Sequence, residues 1–402
     1  MVDLPWPSRR IGDLCVTYSG GTPSTSHPEY YGGDIPWIAS ADLNQGRIDS
    51  VSGRITQLGL KRSAAKLVEP GTPLIALYGA TAGVTATTNI RGAINQAILA
   101  MLPRGIDGQF LYQWLCANRE NIIDRYTQGG QPNLSGAIVR SIEVPLPPRP
   151  EQRRIAIALG DSDNQIVALE GMIAKKKAIM QGMMQQLFTG RTRLSGFKGP
   201  WREARLGGLL RRAPRYGINA PAVPSSVGTH TYLRITDIDD SGRFAPRPKV
   251  GVRHPSAAEY LIGDDDLVFA RTGASVGKSY LYDARDGDLV YAGFLINISP
   301  DPGALNPKFL ALYAQTQSYW DWVARTSVRS GQPGINGREY AQLPITLPDI
   351  YEQQAIVESV ADADDEVELL RERLRKARAV KAGMMQVLLT GRTRLPVKEA
   401  VL

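Results

Sequence analysis

Apolar residues recur at alternating steps of three and four along two proline-free segments, residues 151 to 187 and 352 to 388. This spacing is the a/d pattern of a heptad repeat and is typical of a coiled coil. The first stripe contains Leu159, Ile166, Leu169, Ile173, Met180, Met183 and Leu187, and the second contains Val360, Val367, Leu370, Leu374, Met384 and Leu388. We therefore predict two long helices that pair as an antiparallel coiled coil. Two independent helical hairpins are the alternative.

The rest of the chain has a different pattern, with short apolar runs broken by glycine and proline. These runs fill residues 10 to 147 and 205 to 348 and are rich in β-branched and aromatic residues. Runs of this kind, bounded by turn residues, indicate strands. One longer helical stretch is predicted in each part, at residues 110 to 126 and 309 to 325. Each part is therefore expected to be an α+β domain.

The end of the chain repeats a segment from its middle. The sequence GMMQQLFTGRTRL at residues 182 to 194 returns as GMMQVLLTGRTRL at residues 383 to 395, with eleven of the thirteen positions identical. The same offset of 201 residues relates Gln152 to Gln353, and a shorter offset of 195 relates Trp6 to Trp201. A repeat of this length indicates a duplicated domain and not a solenoid.

The duplication and the two patterns together predict the fold class. We expect an α+β protein with two tandem α+β domains, related by a pseudo-two-fold axis and separated by two long α-helices that form an antiparallel coiled coil. A chain of 402 residues is too long for one ordinary core and is comfortable as two domains. The expected parts are a first domain at 1–147, a first helical region at 148–194, a second domain at 195–348, a second helical region at 349–395 and a C-terminal tail at 396–402.

Composition and charge narrow the partners and the compartment. The formal net charge of +8 favours an anionic partner, most often nucleic acid. The N-terminal residues have no apolar signal region, and no run of eighteen uncharged apolar residues occurs, so neither secretion nor membrane insertion is expected. A cytoplasmic location is the default expectation. Cys15 and Cys116 are expected to be reduced thiols that pack as small hydrophobic residues.

Short motifs in the two domains resemble a known family. They are SGGTPS at 19 to 24, YGATAG at 78 to 83, RTGASVG at 271 to 277, and Gly-Gln-Pro turns at 130 to 132 and 331 to 333. With the duplicated helical regions and their TGRTRL ends, these motifs resemble the specificity subunit of Type I restriction-modification enzymes. The resemblance spans essentially the whole chain, in the order recognition domain, helical region, recognition domain, helical region.

This resemblance implies a DNA-binding subunit without catalysis of its own. Each recognition domain would read one half of an asymmetric bipartite site in double-stranded DNA. The helical pair would set the unread spacer and bind two DNA methyltransferase subunits, and the full complex would add two restriction subunits that translocate and cut DNA. A membrane is not among the implied partners.

Polar side chains beside glycine and proline are the candidates for DNA contact, since Arg, Asn and Gln read base edges and glycine permits close approach to a phosphate. Ordinary turn chemistry is the alternative for each of them. The candidates are Tyr78, Thr81, Asn95, Gln96, Gln128, Gln131 and Asn133 in the first domain, and Arg234, Arg271, Thr272, Ser275, Lys278, Arg329, Gln332, Asn336 and Arg338 in the second. Corresponding positions carry different residues in the two domains, which predicts two unlike half-sites; examples are Tyr78 against Thr272, Ala39 against Arg234 and Asn133 against Gly334.

No residue pattern indicates catalysis, a cofactor or a metal site. The segment GASVGKS at 273 to 279 has only three residues between its glycines, where a phosphate-binding P-loop needs four. Three histidines and two distant cysteines show no metal-ligand spacing. Two other classes remain as alternatives: a coiled-coil adaptor or decoy that binds methyltransferase subunits without reading DNA, and an enzyme whose active site the sequence does not reveal.

Overall fold

The computed structural model describes residues 6–126, 133–329 and 331–396. The chain divides into two compact units, one formed by Met1–Gly171 together with Arg371–Leu402 and the other by Met172–Leu370. We call them unit 1 and unit 2. Each unit holds one α+β domain and portions of both long helices, so the units are not simple halves of the chain.

Unit 1 contains eleven strands and five short helices among its described residues. The strands are β1 (Ser8–Arg10), β2 (Cys15–Ser19), β3 (Tyr31–Ile38), β4 (Arg47–Ile48), β5 (Arg54–Ile55), β6 (Lys66–Val68), β7 (Pro73–Ala76), β8 (Thr85–Thr88), β9 (Gly92–Ile94), β10 (Ile98–Pro103) and β11 (Glu143–Pro145). The helices are α1 (Ile11–Leu14), α2 (Gln57–Lys61), α3 (Gly108–Ala117), α4 (Arg119–Tyr126) and α5 (Gly136–Ser141).

These strands form three sheets in unit 1. One has the order β2-β10-β7-β8-β4, a second has the order β5-β3-β9-β6, and β1 pairs with β11. Most neighbours are antiparallel, but β3 pairs with β9 and β4 pairs with β8 in parallel. The fully buried strands β7 and β8 lie within the first sheet, and helices α3 and α4 pack beside it.

The first long helix, α6, spans Arg149–Phe188, and unit 2 repeats the plan of unit 1 with fewer strands. Its strands are β12 (Arg202–Arg205), β13 (Arg215–Tyr216), β14 (Val223–Pro224), β15 (His230–Leu233), β16 (Val250–Val252), β17 (Leu267–Ala270), β18 (Ser279–Leu281), β19 (Leu289–Tyr291), β20 (Leu295–Ile298) and β21 (Pro344–Leu347). Its helices are α7 (Pro307–Tyr313), α8 (Gln317–Thr326), α9 (Gly337–Ala341) and the second long helix, α10 (Ile350–Leu388).

The sheets of unit 2 match those of unit 1 in connectivity. The order β13-β20-β17-β18 corresponds to β2-β10-β7-β8, and the pair β12-β21 corresponds to β1-β11. The remaining sheet has the order β14-β16-β15-β19, and its β15-β19 pair is parallel, as β3-β9 is in unit 1. The prediction of two tandem α+β domains with long helices is confirmed.

The helical stretch predicted in each domain is two helices, not one. In unit 1 the break falls at Asn118, whose backbone leaves the helical region and whose side-chain amide donates to the carbonyl of Trp114 at 2.9 Å. In unit 2 the break precedes α8, where the Thr316 hydroxyl caps the new helix by accepting from the Tyr319 amide at 3.4 Å. Asparagine and threonine hydrogen-bond the backbone and so start and end helices. The apolar periodicity ran across both breaks and hid them.

The long helices pair in opposite directions within each unit. In unit 1 Glu151 binds Arg394 and Asp163 binds Lys381. Residues later in α6 therefore pair with residues earlier in the second helical region, as in an antiparallel pair. In unit 2 the ion pairs Lys176–Glu366 and Arg193–Glu352 follow the same rule. Helix α6 has 40 residues and α10 has 39, which corresponds to about 60 Å each at 1.5 Å per residue.

The predicted apolar stripe lies on the less exposed side of both helices. The residues Leu159, Leu169, Leu187, Val360, Val367 and Leu388 are buried, and Ile166, Ile173, Met180, Met183, Leu370, Leu374 and Met384 are half-buried. Lys176 is the exposed member of the first stripe. The first turns of one long helix and the last turns of the other enter the core of the same unit, as Leu159 and Leu388 do in unit 1.

A repeated glutamine ties the start of each long helix to its domain. Gln152 accepts from the Asp107 amide at 2.7 Å and donates to the Pro147 carbonyl at 2.7 Å. Gln353, one repeat later, accepts from the Asn306 amide at 2.9 Å and donates to the Pro348 carbonyl. Both glutamines are buried, so each amide must find such partners. The duplication seen in the sequence therefore preserves a structural joint.

Candidate nucleic-acid interface

Three segments of unit 2 converge at Arg271, directly after strand β17. The Arg271 amide donates to the Phe294 carbonyl at 3.0 Å, and the Ile335 amide donates to the Arg271 carbonyl at 2.9 Å. The next residue, Thr272, forms an isolated antiparallel bridge with Gly334. The β17–β18 loop, the β19–β20 turn and the segment before α9 are thereby fixed to one another by backbone hydrogen bonds.

Unit 1 contains the same arrangement at Leu77. The Leu77 amide donates to the Ala97 carbonyl at 2.8 Å, and the Leu134 amide donates to the Leu77 carbonyl at 2.6 Å. The next residue, Tyr78, bridges Asn133. The pairs Leu77/Arg271, Tyr78/Thr272 and Asn133/Gly334 therefore occupy equivalent positions, and we call each of these three-segment arrangements a loop frame.

Glycine shapes the hairpin loop of each frame. Gly273 and Gly277 have φ values of +72° and +90°, and Gly79 and Gly83 have φ values of +77° and +73°. Residues that carry a Cβ atom rarely adopt such positive φ values. A short 3-10 turn lies between the two glycines in both units. The two glycines are required by the backbone conformation of the loop, whereas this conformation places no such demand on the residues between and beside them.

The predicted DNA contacts of unit 1 fall on and beside its loop frame. Tyr78, Gln96 and Asn133 are exposed, and the Thr22 hydroxyl donates to the side-chain oxygen of Gln96. Asn95 is half-buried, and its side chain accepts from the Ala97 amide at 3.1 Å, so it shapes the turn. Thr81 is half-buried in the hairpin loop. Gln128 and Gln131 lie outside the described residues.

In unit 2 the predicted contacts divide into two groups. The first group lies on the loop frame and has solvent access: Arg271, Thr272, Ser275, Gln332 and Arg338. Thr272 donates to the Pro333 carbonyl at 3.4 Å. In the part of the chain that the structure describes, the exposed Arg338 side chain makes no hydrogen bond or ion pair.

The second group is engaged in structural contacts. Lys278 lies 2.7 Å from Asp240, and Arg329 binds both carboxylate oxygens of Glu339 at 2.5 and 2.7 Å. Asn336 caps α9 by accepting from the Glu339 amide at 3.0 Å.

Arg234 belongs to the same group. Its Nη2 donates to Oδ1 of Asp237 at 2.8 Å, and this hydrogen bonding raises the pKa of Arg234. The Arg234 backbone amide also donates to Asp237, at 2.9 Å. A neighbouring carboxylate thus neutralises much of the charge of Arg234, Lys278 and Arg329, three residues predicted from the sequence as DNA contacts.

Sequence reasoning missed the aromatic residues around the loop frame of unit 2. The guanidinium carbon of Arg271 lies 5.0 Å from the ring centre of Tyr216, which sits on β13. The Tyr216 hydroxyl accepts from the Gly337 amide at 3.1 Å. Phe294, whose carbonyl receives the Arg271 amide, exposes 58% of its surface. Two signals were available in the sequence. Tyr216 is followed directly by a glycine, and Phe294 is an aromatic residue in a turn between two strands.

Sequence reasoning also missed the partners of two arginines in the repeated thirteen-residue box, residues 182 to 194 and 383 to 395. Arg394 binds the buried Glu151 and lies over the ring of Trp6 at 5.3 Å. Its equivalent Arg193 binds the buried Glu352 and lies over Trp201 at 5.7 Å. At the start of α10 Asp349 accepts from the Glu352 amide at 3.0 Å, so the Glu352 carboxylate is left to bind Arg193. The box is therefore a structural joint in both units.

The described residues contain neither a grouped set of metal ligands nor a membrane-spanning helix. Among residues 6–126, 133–329 and 331–396, no three His, Cys, Asp or Glu side chains are grouped so as to hold a metal ion. Within the same residues, no helix combines the length and apolar character that crossing a membrane requires.

The fold and its loop frames define a class of duplicated proteins with two α+β recognition domains and paired long helices. The sequence-family model of the Type I restriction modification DNA specificity domain matches residues 4–179 and 254–378, which is more than half of the chain. The chain belongs to this Type I restriction-modification specificity family. The resemblance found in the repeated motifs is confirmed.

Curated relatives and solved structures agree with this assignment. The MjaVIII specificity subunit of Methanocaldococcus jannaschii is 22% identical over 97% of this chain and 93% of its own length. The MjaIX specificity subunit of the same organism is 29% identical, but the alignment spans only 46% of this chain and 43% of that protein. The S subunit of a Type I system from M. genitalium has the same fold, with a TM-score of 0.60, 14% identity and coverage of 96% and 97% of the two chains.

Proposed function

We propose that this chain binds double-stranded DNA sequence-specifically as the specificity subunit of a Type I restriction-modification complex. Each unit reads one half of an asymmetric bipartite site. The observation that carries the proposal is the pair of loop frames, which share their backbone hydrogen bonds and differ in side chains. A common scaffold with different polar groups is what two readers of unlike sequences require.

The long helices supply the second part of the proposed function. They set the number of unread base pairs between the half-sites and bind two DNA methyltransferase subunits, and the full complex adds two restriction subunits. The support is the contrast between the parts: the helix ends repeat with eleven of thirteen identical residues, while the frames differ. The exposed residues of these helix ends, such as Arg191 and Arg392, are presented twice in the same form, which suits two copies of one partner.

Selection from a pool of random DNA duplexes tests the proposed function. The full-length chain, alone and together with a Type I methyltransferase subunit, is incubated with the pool, and the retained duplexes are sequenced. We expect two unlike conserved blocks separated by a fixed number of random positions. Retention should fall steeply with salt concentration, because Lys and Arg contacts to phosphate release counterions.

Matched variants assign the half-sites. A double variant Tyr78→Ala and Gln96→Ala in unit 1 should change one block and leave the other intact, and Thr272→Ala in unit 2 serves as the reciprocal case. A continuous or palindromic motif contradicts the bipartite asymmetric site. A chain that holds methyltransferase subunits but enriches no motif is an adaptor, and the proposal fails.

A further inference from the structure

Arg271 is held differently from the other candidate arginines of unit 2. Its backbone is pinned on both sides, by the Phe294 carbonyl and the Ile335 amide, so the base of the side chain cannot shift. Its guanidinium lies over the ring of Tyr216 at 5.0 Å. An arginine stacked on an aromatic face loses less freedom when it forms further hydrogen bonds. The side chain is therefore pre-organised.

The hydrogen-bonding capacity of this guanidinium is unused. Its Nε is buried and finds no acceptor among the described residues, while its two Nη nitrogens are accessible and have no hydrogen-bond partner there. No carboxylate of the described chain forms an ion pair with it. Arg234 and Arg329, by contrast, are bound by Asp237 and Glu339. The two Nη groups of Arg271 thus remain accessible N–H donors without an acceptor among the described residues.

Unit 1 has no equivalent of this arrangement. The position of Arg271 is occupied there by Leu77, which is buried, and both residues make the same pair of backbone hydrogen bonds. The position of Tyr216, opposite Ile296 in the strand register, is occupied by Ser19, opposite Leu99. At the equivalent positions of unit 1 both the arginine and its stacking partner are replaced by other residues, so the stacked pair has no counterpart at those positions.

We propose that Arg271 reads a guanine in the half-site that unit 2 binds, with its two Nη groups donating to O6 and N7 of that base in the major groove. This inference rests on the proposed function and names one determinant of its specificity. Guanine presents two acceptors side by side, and a planar guanidinium is the side chain that matches them in two-point contact. Tyr216 is the positioning residue that holds the guanidinium in the reading orientation.

A phosphate is the competing ligand for the same fork. A phosphate contact would strengthen binding to every sequence, whereas a base contact acts at one position of the motif. Arg338, exposed beside the same surface and without an ion pair in the described residues, provides the comparison, since it lacks a stacking partner. The two roles therefore give different patterns in a sequence-selection experiment.

The experiment repeats the random-duplex selection with the full-length chain and three variants: Arg271→Lys, Arg271→Ala and Tyr216→Leu. Arg338→Ala is the matched control. We expect Arg271→Ala to reduce the preference for G·C at one position of one block by about ten- to a hundredfold, with all other positions unchanged. Arg271→Lys should reduce it less, because an ammonium can still donate to O6 or N7 but lacks the planar fork. Tyr216→Leu should weaken the same position and no other. Arg338→Ala, which removes a charge from the same candidate surface, should weaken the retention of all duplexes to a similar degree and shift no single position of the motif.

The outcomes separate this inference from the proposed function. A bipartite motif that Arg271→Ala leaves unchanged, or a uniform loss of binding at all positions, overturns the guanine contact and leaves the proposed function standing. The failure of the unaltered chain to enrich any motif overturns both. If Arg271→Ala proves unfolded by circular dichroism, Arg271→Leu takes its place, because Leu77 stands at the equivalent position of unit 1 with the same backbone hydrogen bonds.

Discussion

Arg394 and Glu151 form a two-point ion pair, with 2.5 Å from Nε to Oε1 and 2.7 Å from Nη2 to Oε2. One repeat along the chain, Arg193 and Glu352 form the same pair with both distances at 2.5 Å. Both glutamates expose only 1% of their side chains. The equivalence explains why the final arginine of the TGRTR sequence is present in both copies.

We predict that Arg193→Ala destabilises the protein because it leaves the buried carboxylate of Glu352 without its partner, which is more costly than never having had the pair. The melting temperature should fall by about 5 to 10 °C. Arg394→Ala should cost less, because the Arg394 side chain is 51% exposed against 26% for Arg193 and is more screened by water. Thermal unfolding followed by circular dichroism measures both.

Controls for this prediction lie in the same box. Arg191 and Arg392 are the exposed first arginines of the two boxes, and changing either to alanine should leave the melting temperature nearly unchanged. The double variant Arg193→Ala and Glu352→Gln should regain part of the loss, because a neutral amide costs less to bury than an unpaired carboxylate. A double variant no more stable than Arg193→Ala would show that the pair is not the cause.

A glycine beside each loop frame has no room for a side chain, and this gives a second prediction about stability. A Cβ atom on Gly217 would lie 2.2 Å from the Ala292 carbonyl oxygen, and one on Gly20 would lie 1.8 Å from that of Ile94. Gly217→Ala should therefore destabilise the protein by about 1 to 3 kcal/mol through forced displacement of the backbone. Gly171→Ala, on α6 with open space around it, should instead stabilise the protein slightly. Urea unfolding of the two variants compares them, and equal midpoints would contradict the prediction.

The thiols give a third prediction. Burial raises the pKa of both Cys15 and Cys116 to about 11. The thiolate is the reactive form, and at pH 8 only about one thiol in a thousand would be ionised at such a pKa. We expect iodoacetamide to modify the native protein slowly at pH 8 and faster as the pH approaches 11. In urea both thiols should react at the rate of a free cysteine; equally fast labelling of the native protein would contradict the raised pKa values.

Much of the fold could be predicted because its strongest signals are periodic or repeated. The heptad stripe on α6 and α10 and the thirteen-residue box required no knowledge of tertiary contacts. The breaks at Asn118 and before α8 could not be seen, because each depends on one polar side chain that caps a helix inside a continuous apolar pattern. Hydrogen bonds between a side chain and the backbone three or four residues away set those boundaries.

The candidate interface was only partly predictable, for a physical reason. The sequence placed Tyr78 and Thr272 at equivalent positions, and the shared bridges to Asn133 and Gly334 give that correspondence a structural basis. It offered no means of separating Arg234 from Arg271, since the first is bound by Asp237 three residues away and the second lies over the distant Tyr216. Which charges remain available to a ligand is a property of the folded surface.

The helices provide the last prediction, which concerns the unread spacer. Deleting one heptad from each helix, residues 169–175 and the equivalent residues 370–376, keeps the apolar stripe in phase because seven residues are nearly two full turns. Each helix shortens by about 10 Å, which corresponds to about three base pairs of duplex at 3.4 Å per pair. We expect the random-duplex selection to return the same two blocks with a spacer about three base pairs shorter. Deleting the heptad from α6 alone is the control and should disrupt pairing with α10, seen as a loss of melting temperature. An unchanged spacer in a folded double-deletion variant would mean that the helices do not set the distance between half-sites.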